Sequence, residues 1–172
     1  MPSMKSIINA HNKNIIGKKP EINPRTCNCI NPTDCPLNGN CLAKESLYEG
    51  KITSDLPNYK EKLYKGISEN WFKLRYGNHK KSFNHKIYKN DSELSNEYWK
   101  VKEKGGNPKV TWRILKKCSA YNPESKRCLL CISEKLEIAE YNGDNILNKR
   151  SEVVSKCRHQ NKYALAKFDS ND

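Results

Sequence analysis

Four cysteines lie close together near the start of the chain, and this cluster limits the fold more than any other feature of the sequence. They are Cys27, Cys29, Cys35 and Cys41. Turn-forming residues at 31–34 and 36–39 separate them, and a short loop with turns can supply the four tetrahedral ligands that zinc prefers. Four unrelated free thiols would not explain this density. We therefore expect residues 27–44 to form a zinc knuckle with a structural role, because no ligand position is left for a substrate.

The cysteines also bear on the compartment in which the protein works. No apolar stretch of the sequence is long enough to cross a bilayer, and residues 1–17 lack the features of a signal peptide. Proteins that are not exported rarely form disulfides, and clustered thiols in a basic chain usually bind zinc. We therefore expect an intracellular protein with reduced cysteines and no membrane partner.

The chain is strongly basic. Its 32 Lys and Arg residues exceed its 19 Asp and Glu residues, which gives a net charge of +13 over 172 residues. Such an excess favours a polyanionic partner, and nucleic acid fits better than an acidic membrane because no basic helix with a clean apolar face is present. The lysines best suited to contact phosphates are Lys80, Lys81, Lys86, Lys100, Lys102, Lys104, Lys116 and Lys117. Binding of this kind should weaken steeply as salt rises.

After the knuckle, extended and helical patterns alternate. Turn chemistry at 54–58 between two extended segments predicts a hairpin, and the alternation of Val110, Trp112 and Ile114 predicts a third strand. The expected elements are, in order, strands 46–53 and 59–66, helices 68–83 and 92–104, strand 109–116, and helices 127–141 and 148–158. This order predicts an α+β fold, with a small central, mostly antiparallel three-stranded sheet flanked by helices.

Side-chain chemistry indicates where the helices begin and which faces they bury. Ser68 is expected to cap the first helix and Ser92 the second, which Gly105 would end. The faces expected to be buried are Trp71, Leu74 and Asn78 in the first helix, Leu94, Tyr98 and Val101 in the second, and Leu129, Ile132, Leu136 and Ala139 in the third. The last of these stripes is the strongest, so helix 127–141 is predicted with the clearest apolar face.

The length of the chain allows one ordinary domain with an appendage. Residues 1–26 would form a flexible arm or linker, residues 27–44 the zinc knuckle, and residues 45–160 the main domain. A polar tail is expected at 161–172.

Three further cysteines and a histidine form a weaker candidate for a second zinc site. They are Cys128, Cys131, Cys157 and His159. Two cysteines three apart lie on one side of a helix, and the last predicted helix could bring the other two ligands to them. Buried cysteines that pack as small apolar residues explain the pattern equally well. Cys118 is either a ligand in place of His159 or a spare thiol.

Six residues that commonly serve in catalysis follow one another along the chain. They are Tyr48, Tyr64, Arg75, His79, Glu134 and Asn148. Arg75 and His79 share a helix face because they are four apart. Glu134 is displaced from the apolar stripe of its helix and is flanked by Leu130 and Ile138. Singly, each residue has an ordinary explanation, such as a half-buried strand tyrosine or a helix-capping asparagine, so only the ordered set indicates a function.

This ordered set resembles the motifs of the GIY-YIG nuclease family. Ser46-Leu47-Tyr48 stands for the first motif, with Ser46 in place of a glycine. Tyr64-Lys65-Gly66 stands for the second, with Lys65 in place of an isoleucine. The family implies the GIY-YIG type of fold for the sheet and helices predicted above.

Within that family, the chain is similar to the endonuclease domain of Penelope-like retroelements. The similarity rests on the cysteine cluster before the first motif, on Arg127-Cys128-Leu129-Leu130-Cys131 and on Asn148-Lys149-Arg150. It covers about residues 27–159. It implies a nuclear location and fusion to a reverse transcriptase, whose tail would include His11-Asn12-Lys13.

The resemblance implies hydrolysis of phosphodiester bonds in DNA at one Mg²⁺ or Mn²⁺ ion, to nick a target for retroelement insertion. Glu134 would hold the cation, usually with several waters as further ligands. Tyr48, made more acidic by the cation and basic neighbours, would take the proton of the attacking water, relayed through His79. Arg75 would stabilise the charge that develops on the phosphate oxygens.

The remaining motif residues would position these groups. Tyr64 would orient the phosphate or the water through its hydroxyl, and Asn148 would orient neighbouring groups at the sheet edge. Gly66 would leave room where a strand end passes close to a helix start.

Two other functions stay open from the sequence. A catalytically inactive, zinc-containing nucleic-acid-binding module would keep the fold and the charge without the chemistry. A ribosomal or chromatin-type structural protein would explain the charge and the zinc, but not the ordered catalytic set. Variants that lose cleavage but keep DNA binding would separate the nuclease from both.

Overall fold

The fold is built around an antiparallel sheet of three strands. The computed structural model of the chain describes residues 3–8, 25–122, 125, 127–157 and 159. β1 (Ser46–Thr53) lies in the centre, with β2 (Lys62–Ser68) on one side and β3 (Lys109–Lys117) on the other. Both outer strands run antiparallel to β1. The prediction of an α+β fold with a three-stranded antiparallel sheet and helices is therefore confirmed.

Helices and short strands complete the described part of the chain. The three longest helices are α1 (Phe72–Asn84), α2 (Glu93–Glu103) and α3 (Leu129–Ala139). A 3-10 turn (Lys86–Asp91) joins α1 to α2, and residues 4–8 are also helical. β4 (Tyr121–Asn122) pairs with β5 (Arg127–Cys128) just before α3, and these strands are too short for a sequence pattern to predict. Among the described helices, none has the length and apolar character needed to span a membrane.

The hairpin forms as predicted, but its connection is longer than expected. β1 has the predicted bounds, whereas β2 begins at Lys62 instead of residue 59. Tyr59 belongs to the turn, because its N–H donates to the Leu56 carbonyl oxygen at 3.1 Å. Asn58 has a φ of 61°, a conformation that Asn tolerates better than most residues. β2 then continues past Gly66 to Ser68.

α1 begins four residues later than predicted and buries a different face. Ser68 does not cap it, since this residue ends β2 and its hydroxyl donates to the Asn70 carbonyl oxygen at 2.7 Å. Trp71, Leu74 and Asn78, expected inside, are all exposed. The buried side chains are Phe72, His79, Ser82 and Phe83. The segment is therefore helical as predicted. Its packed side carries Phe72, His79 and Phe83 instead of Trp71 and Leu74.

α2 and β3 agree with the predictions. Ser92 caps α2 by accepting a hydrogen bond from the Ser95 N–H at 3.1 Å, and Gly105 ends it with a φ of 78°. Leu94 and Val101 are buried, as expected. β3 alternates between half-buried and exposed residues over most of its length and is one residue longer than predicted.

α3 is two residues shorter at each end than predicted, and its expected apolar stripe faces outward. Leu129, Ile132 and Leu136 are 52%, 42% and 51% exposed, and Ala139 is exposed as well. The buried residues are Leu130, Cys131 and Ile138. Because this helix is apolar on two sides, its periodicity alone cannot select the side that packs.

The helix predicted at 148–158 does not form. A 3-10 turn (Arg150–Glu152) is followed by irregular chain. The Asn148 side chain bonds to the Lys65 backbone of β2 instead of to a helix, and such side-chain bonds compete with helix formation. Most of the predicted arm, including His11-Asn12-Lys13, and the predicted tail lie outside the described residues.

Two clusters of buried side chains hold these elements together. The larger packs the sheet against α1 and α2 and contains Leu37, Tyr48, Ile52, Tyr64, Phe72, Phe83 and Leu94. The smaller surrounds the start of α3 and contains Cys118, Cys128, Leu130 and Cys131. The tyrosines of the predicted catalytic set therefore belong to the main core.

Candidate active site

Tyr48 lies at the centre of the candidate site, on β1. Its side chain is completely buried. Its hydroxyl oxygen lies 2.9 Å from Nε2 of His79 and accepts a hydrogen bond from Nε of Arg75 at 3.0 Å. β1 and α1 thus bring three of the predicted catalytic residues together at one oxygen atom.

The surroundings of Tyr48 and His79 determine the protonation states of the two side chains. Burial, together with the nearby Arg75 charge, lowers the pKa of His79 to about 3, so the ring is neutral at pH 7. Arg75 can only donate, so the Tyr48 oxygen accepts from Arg75. In the His79 tautomer that carries its proton on Nδ1, Nε2 accepts the proton of the Tyr48 hydroxyl. Arg75 lowers the pKa of Tyr48, as expected, but burial outweighs it and the net direction is upward. Tyr48 is therefore a neutral phenol in the cation-free protein.

Tyr64 and Gly66 bring β2 into the site. Gly66 pairs with Tyr48, so that Tyr64 is the diagonal neighbour of Tyr48, with ring centroids 6.5 Å apart. A Cβ atom at Gly66 would lie 2.6 Å from the Tyr48 hydroxyl oxygen. The predicted need for a glycine is supported, but the group that fills the space is the Tyr48 ring rather than a helix start.

A bulge in β3 lies beside Tyr48. Leu47 pairs with Lys116 and Tyr48 with Ile114, which leaves Leu115 as an extra residue. Bulges bend a strand and re-aim its side chains, and they are common next to active sites. The sequence contains no glycine or other pattern there that would have predicted it.

Glu134 reaches the site from α3. It lies one turn from both Leu130 and Ile138, which are buried, and so it is on the inner side of the helix. Its carboxyl group is close enough to both tyrosines to raise their pKa values. Burial, aided by the Glu152 charge, raises the pKa of Glu134 itself to about 7, although Arg75 and Lys135 oppose this.

Glu152 is a residue of this site that the sequence analysis missed. Its turn packs against α3, and its charge raises the pKa values of Glu134 and Tyr64. Oε2 accepts from Nδ2 of Asn148 at 2.9 Å, and Oε1 accepts from the Lys149 N–H at 3.1 Å. Its four-residue spacing from Asn148 was the available signal, and both residues lie in the segment for which a helix was predicted that does not form.

Asn148 fixes this segment to the sheet edge. Its Oδ1 accepts from the Lys65 N–H at 2.7 Å, and its Nδ2 donates to the Lys65 carbonyl oxygen at 2.8 Å. The Lys65 side chain is buried and forms an ion pair with Glu137 of α3, with Nζ 2.9 Å from Oε2. Lys65 therefore ties β2 to the helix that carries Glu134.

The first cysteine cluster can hold a metal ion. The ligand atoms of Cys27, Cys29, Cys35 and Cys41 all lie within 4.8 Å of one another. Asn38 and Gly39 form the turn between the last two, with φ values of 47° and 92°. Burial acts to raise the pKa of Cys35, but hydrogen bonds from backbone N–H groups bring it down to about 6. One thiol is thus largely ionised at pH 7, as a metal ligand must be.

The loop that carries this cluster also caps α1. The Phe72 N–H donates to the Ala43 carbonyl oxygen, and the Lys73 N–H to that of Cys41, both at 2.8 Å. No side chain of the helix satisfies these groups. The first cluster is therefore built into the start of the helix that carries Arg75 and His79.

The second cluster is also assembled. The ligand atoms of Cys128, Cys131, Cys157 and His159 lie within 4.8 Å of one another, so this group can hold a metal ion as well. Cys118 lies outside the group, and its thiol donates to the Ser133 hydroxyl at 3.2 Å. Of the two candidates for the fourth ligand, the structure brings His159 to the cysteines.

A surface cleft lies beside the site. Arg75, His79, Lys81 and Asp91 are among the residues that line it. All eight lysines named as phosphate contacts are exposed.

No family model, characterised protein or solved structure matches the chain. A proposed function therefore rests on the geometry of the candidate site.

Proposed function

We propose that this chain is a metal-dependent DNA endonuclease of the GIY-YIG type, which nicks target DNA for retroelement insertion. The proposal is supported above all by the buried Tyr48 hydroxyl, which Arg75 and His79 contact directly. Tyr64 and Glu134 lie close to the same group. Residues from β1, β2, α1 and α3 converge there, and such convergence of separate elements on one titratable group is typical of an active site.

Glu134 is the proposed protein ligand of a Mg²⁺ or Mn²⁺ ion. Its carboxyl group has a pKa of about 7 in the cation-free protein, so that it is available as a carboxylate in a slightly alkaline medium. A bound cation would polarise the scissile phosphate and stabilise the leaving oxygen. A single carboxylate leaves room for water and phosphate oxygens, which Mg²⁺ commonly keeps as ligands.

Tyr48 and His79 form the proposed proton path. In the cation-free protein the proton stays on Tyr48, because burial raises the pKa of the phenol and lowers that of His79. With a bound cation to lower the Tyr48 pKa, Nε2 of His79 would accept this proton, and the phenolate oxygen would then take a proton from the attacking water. Arg75 donates to the phenol oxygen and would stabilise its negative charge as well as the charge on the phosphate. Tyr64 would orient the phosphate or the water.

The metal clusters and the surface lysines complete the proposal. Zinc at Cys27, Cys29, Cys35 and Cys41 would have a structural role, because the loop caps α1. The exposed lysines would hold the DNA backbone without reading its sequence. A nuclear location and fusion to a reverse transcriptase belong to the same proposal.

A catalytically inactive, nucleic-acid-binding module is the second candidate, and the burial of Tyr48 favours it. The side chain is 0% exposed, and burial raises its pKa, whereas a general base must meet water and lose its proton. In this alternative the aromatic cluster only stabilises the core, and the lysines bind DNA.

A supercoiled-plasmid assay with Mg²⁺ or Mn²⁺ separates the two candidates. We expect nicked or linear plasmid from the wild type only when a cation is present, and none from Glu134→Ala or Arg75→Ala. Glu140→Ala is the matched control, because this exposed carboxylate directly follows the same helix. Cleavage by Glu134→Ala at the wild-type rate would exclude the nuclease proposal in this form. A wild type that shifts the plasmid on a gel but leaves it supercoiled would support the inactive module.

A further inference from the structure

The second cysteine cluster lies next to the two carboxylates of the candidate site. We propose that zinc held by Cys128, Cys131, Cys157 and His159 is a positioning centre, which keeps Glu152 against the helix that carries Glu134. The inference rests on the proposed function, because it concerns the affinity of that site for its catalytic cation. It assigns the cluster a role beyond structural support of a loop.

His159 has the surroundings of a zinc ligand. Its Nδ1 lies 3.2 Å from Sγ of Cys131 and 3.5 Å from Sγ of Cys128. Its other ring nitrogen, Nε2, faces Oε2 of Glu69 at 3.8 Å. Histidines that bind metals usually direct their second nitrogen to a carboxylate or carbonyl, which fixes the ring and its tautomer. Glu69 therefore provides an independent reason to assign His159 as a ligand.

The distances within the cluster suit zinc. Zn–S bonds of about 2.3 Å place the sulfur atoms of a tetrahedral site about 3.8 Å apart. Cys131 and Cys157 have their sulfur atoms 3.5 Å apart, and Nδ1 of His159 is 3.8 Å from Sγ of Cys157. Cysteines that merely pack as apolar residues would not require an imidazole nitrogen among them.

The cluster joins two segments that each carry a residue of the candidate site. Cys131 lies on α3, three residues before Glu134, so the two are neighbours on that helix. Cys157 follows Glu152 by five residues, in a segment with no regular element after the 3-10 turn. A metal ion bound to both segments would therefore fix the distance between Glu134 and Glu152.

The other described attachments of the segment from residue 149 to 159 are polar contacts, with no buried side chain among them. Val154 is 81% exposed, and no residue of the segment is buried among those whose side chains are described. Lys149 forms an ion pair with Glu93 of α2, Lys135 donates a hydrogen bond to the Ser155 carbonyl oxygen, and the Asn148 amide bonds to Glu152. Metal ligation orders chain that does not hold its own conformation, since the binding free energy offsets the loss of chain entropy.

Loss of this zinc should therefore release Glu152 from its place near Glu134 and Tyr64. A carboxylate close to Glu134 adds negative charge where the catalytic cation binds, and Ca²⁺ and Mg²⁺ sites gain affinity from ligand charge. We expect cation affinity to fall at least about tenfold without zinc, the lower range found when groups that orient metal ligands are removed. DNA binding through the surface lysines should be unaffected.

The test uses the full chain and three variants. His159→Asn removes a ligand, His159→Cys replaces it with another zinc ligand, and His85→Asn removes an exposed histidine elsewhere. Zinc content is measured by elemental analysis, and affinity for Mn²⁺ alone by electron paramagnetic resonance. Mn²⁺ is a weak competitor for thiolate sites, so it reports on the oxygen ligands.

We expect His159→Asn to lose one zinc per chain and to bind Mn²⁺ at least about tenfold more weakly, with DNA binding within twofold of wild type. His159→Cys should restore both properties, and His85→Asn should change neither. Full zinc content in His159→Asn, or normal Mn²⁺ affinity after zinc is lost, would overturn the proposal. A wild type without Mn²⁺ binding would overturn it as well. If Mn²⁺ binds in a zinc-dependent manner but no plasmid is cut, the positioning centre stands and the nuclease proposal fails.

Glu69→Gln provides a second route if His159→Asn does not fold. This variant keeps all four ligands and alters only the partner of His159. Its affinity for zinc should fall about tenfold. Mn²⁺ affinity should then match that of wild type in saturating zinc and fall at low zinc activity. Zinc-independent Mn²⁺ affinity in a folded Glu69→Gln protein would contradict the proposal.

Discussion

The two cysteine clusters use the same kind of ligand but are assembled in different ways. The first takes its four cysteines from residues 27–41, with the turns between them supplied by the same loop. The second takes its ligands from residues 128–159, and the start of α3 must meet a later irregular segment before a site exists. Spacing therefore predicts the first cluster directly, whereas for the second cluster it left buried apolar cysteines as an equal alternative and Cys118 as another fourth ligand, and tertiary contacts decided between them.

The clusters also differ in what they support. The first caps α1 through two carbonyl oxygens and adds Leu37 to the main core. The second lies in the smaller core and joins the segments that carry Glu134 and Glu152. We therefore expect the first cluster to contribute mainly to stability and the second mainly to the cation site.

Serine in place of one ligand in each cluster should separate these contributions most strongly. Cys41→Ser should lower the free energy of unfolding by roughly 4 kcal/mol or more, because Cys41 is completely buried and a lost metal site also uncaps α1. Cys157→Ser should lower it by roughly 1–2 kcal/mol, since the segment it anchors contributes little to the core. Urea unfolding with zinc analysis measures both values, and equal losses would contradict the division of roles.

Gly66→Ala tests a part of the site that packing holds without metal. The added Cβ would lie 2.6 Å from the Tyr48 hydroxyl oxygen, and this ring is completely buried and cannot move away freely. We expect a loss of about 2–3 kcal/mol of stability, typical of overpacking. Zinc content should remain that of wild type, and a change in zinc would show that the clusters are not independent of the tyrosines.

Glu134→Gln should stabilise the cation-free protein at alkaline pH. The folded state raises the pKa of this carboxyl from its ordinary 4.5 to about 7, so the folded protein holds the proton more tightly than the unfolded chain. Below about pH 4.5 the carboxyl is protonated in both the folded and the unfolded state and does not change the free energy of unfolding. As the pH rises to 7, ionisation is easier in the unfolded chain, so the carboxyl destabilises the fold increasingly. Glutamine removes this effect, so the free energy of unfolding should rise by about 1–3 kcal/mol at pH 8 and should not change near pH 4.

Thermal unfolding at the two pH values, with a chelator of Mg²⁺ and Mn²⁺ present, measures this gain. Glu140→Gln is the control, because its exposed carboxyl should give no gain at either pH. A Glu134→Gln protein less stable than wild type at pH 8 would show that this carboxylate is structural. It would then be a poor candidate for the cation ligand.

Ser46→Ala should have the smallest effect. The Ser46 hydroxyl is buried and has no hydrogen-bond partner among the described residues. Removing an unsatisfied buried hydroxyl stabilises a protein by about 1 kcal/mol. Chemical denaturation measures the gain, and zinc content should not change. A loss of stability would indicate that the hydroxyl has a partner that the described residues do not include.

Several parts of the fold were predictable because they depend on neighbours in the sequence. β1 has its predicted bounds, Ser92 caps α2, and Gly105 ends it. Turn chemistry, capping and alternation act over a few residues, so these features are decided locally. The first cysteine cluster belongs to the same class.

The predictions that were wrong concern features that depend on residues distant in the sequence. α1 and α3 are helical as predicted, but each buries another face, because both helices carry apolar residues on more than one side. The helix predicted after residue 148 is absent, since Asn148 bonds to the backbone of β2 instead. Which face packs and which polar group finds a partner depend on elements distant in the sequence.

The candidate site combines the two kinds of information. The residue types and their order, from Tyr48 to Asn148, are properties of the sequence, and the proposed chemistry rests on them. Only the tertiary structure decided that His79 and Arg75 meet the Tyr48 hydroxyl, that Glu152 joins Glu134, and that His159 rather than Cys118 completes the second cluster. Local backbone preferences act within a few residues, whereas these contacts require the sheet and helices to pack, and burial then determines the protonation states on which the proposed chemistry depends.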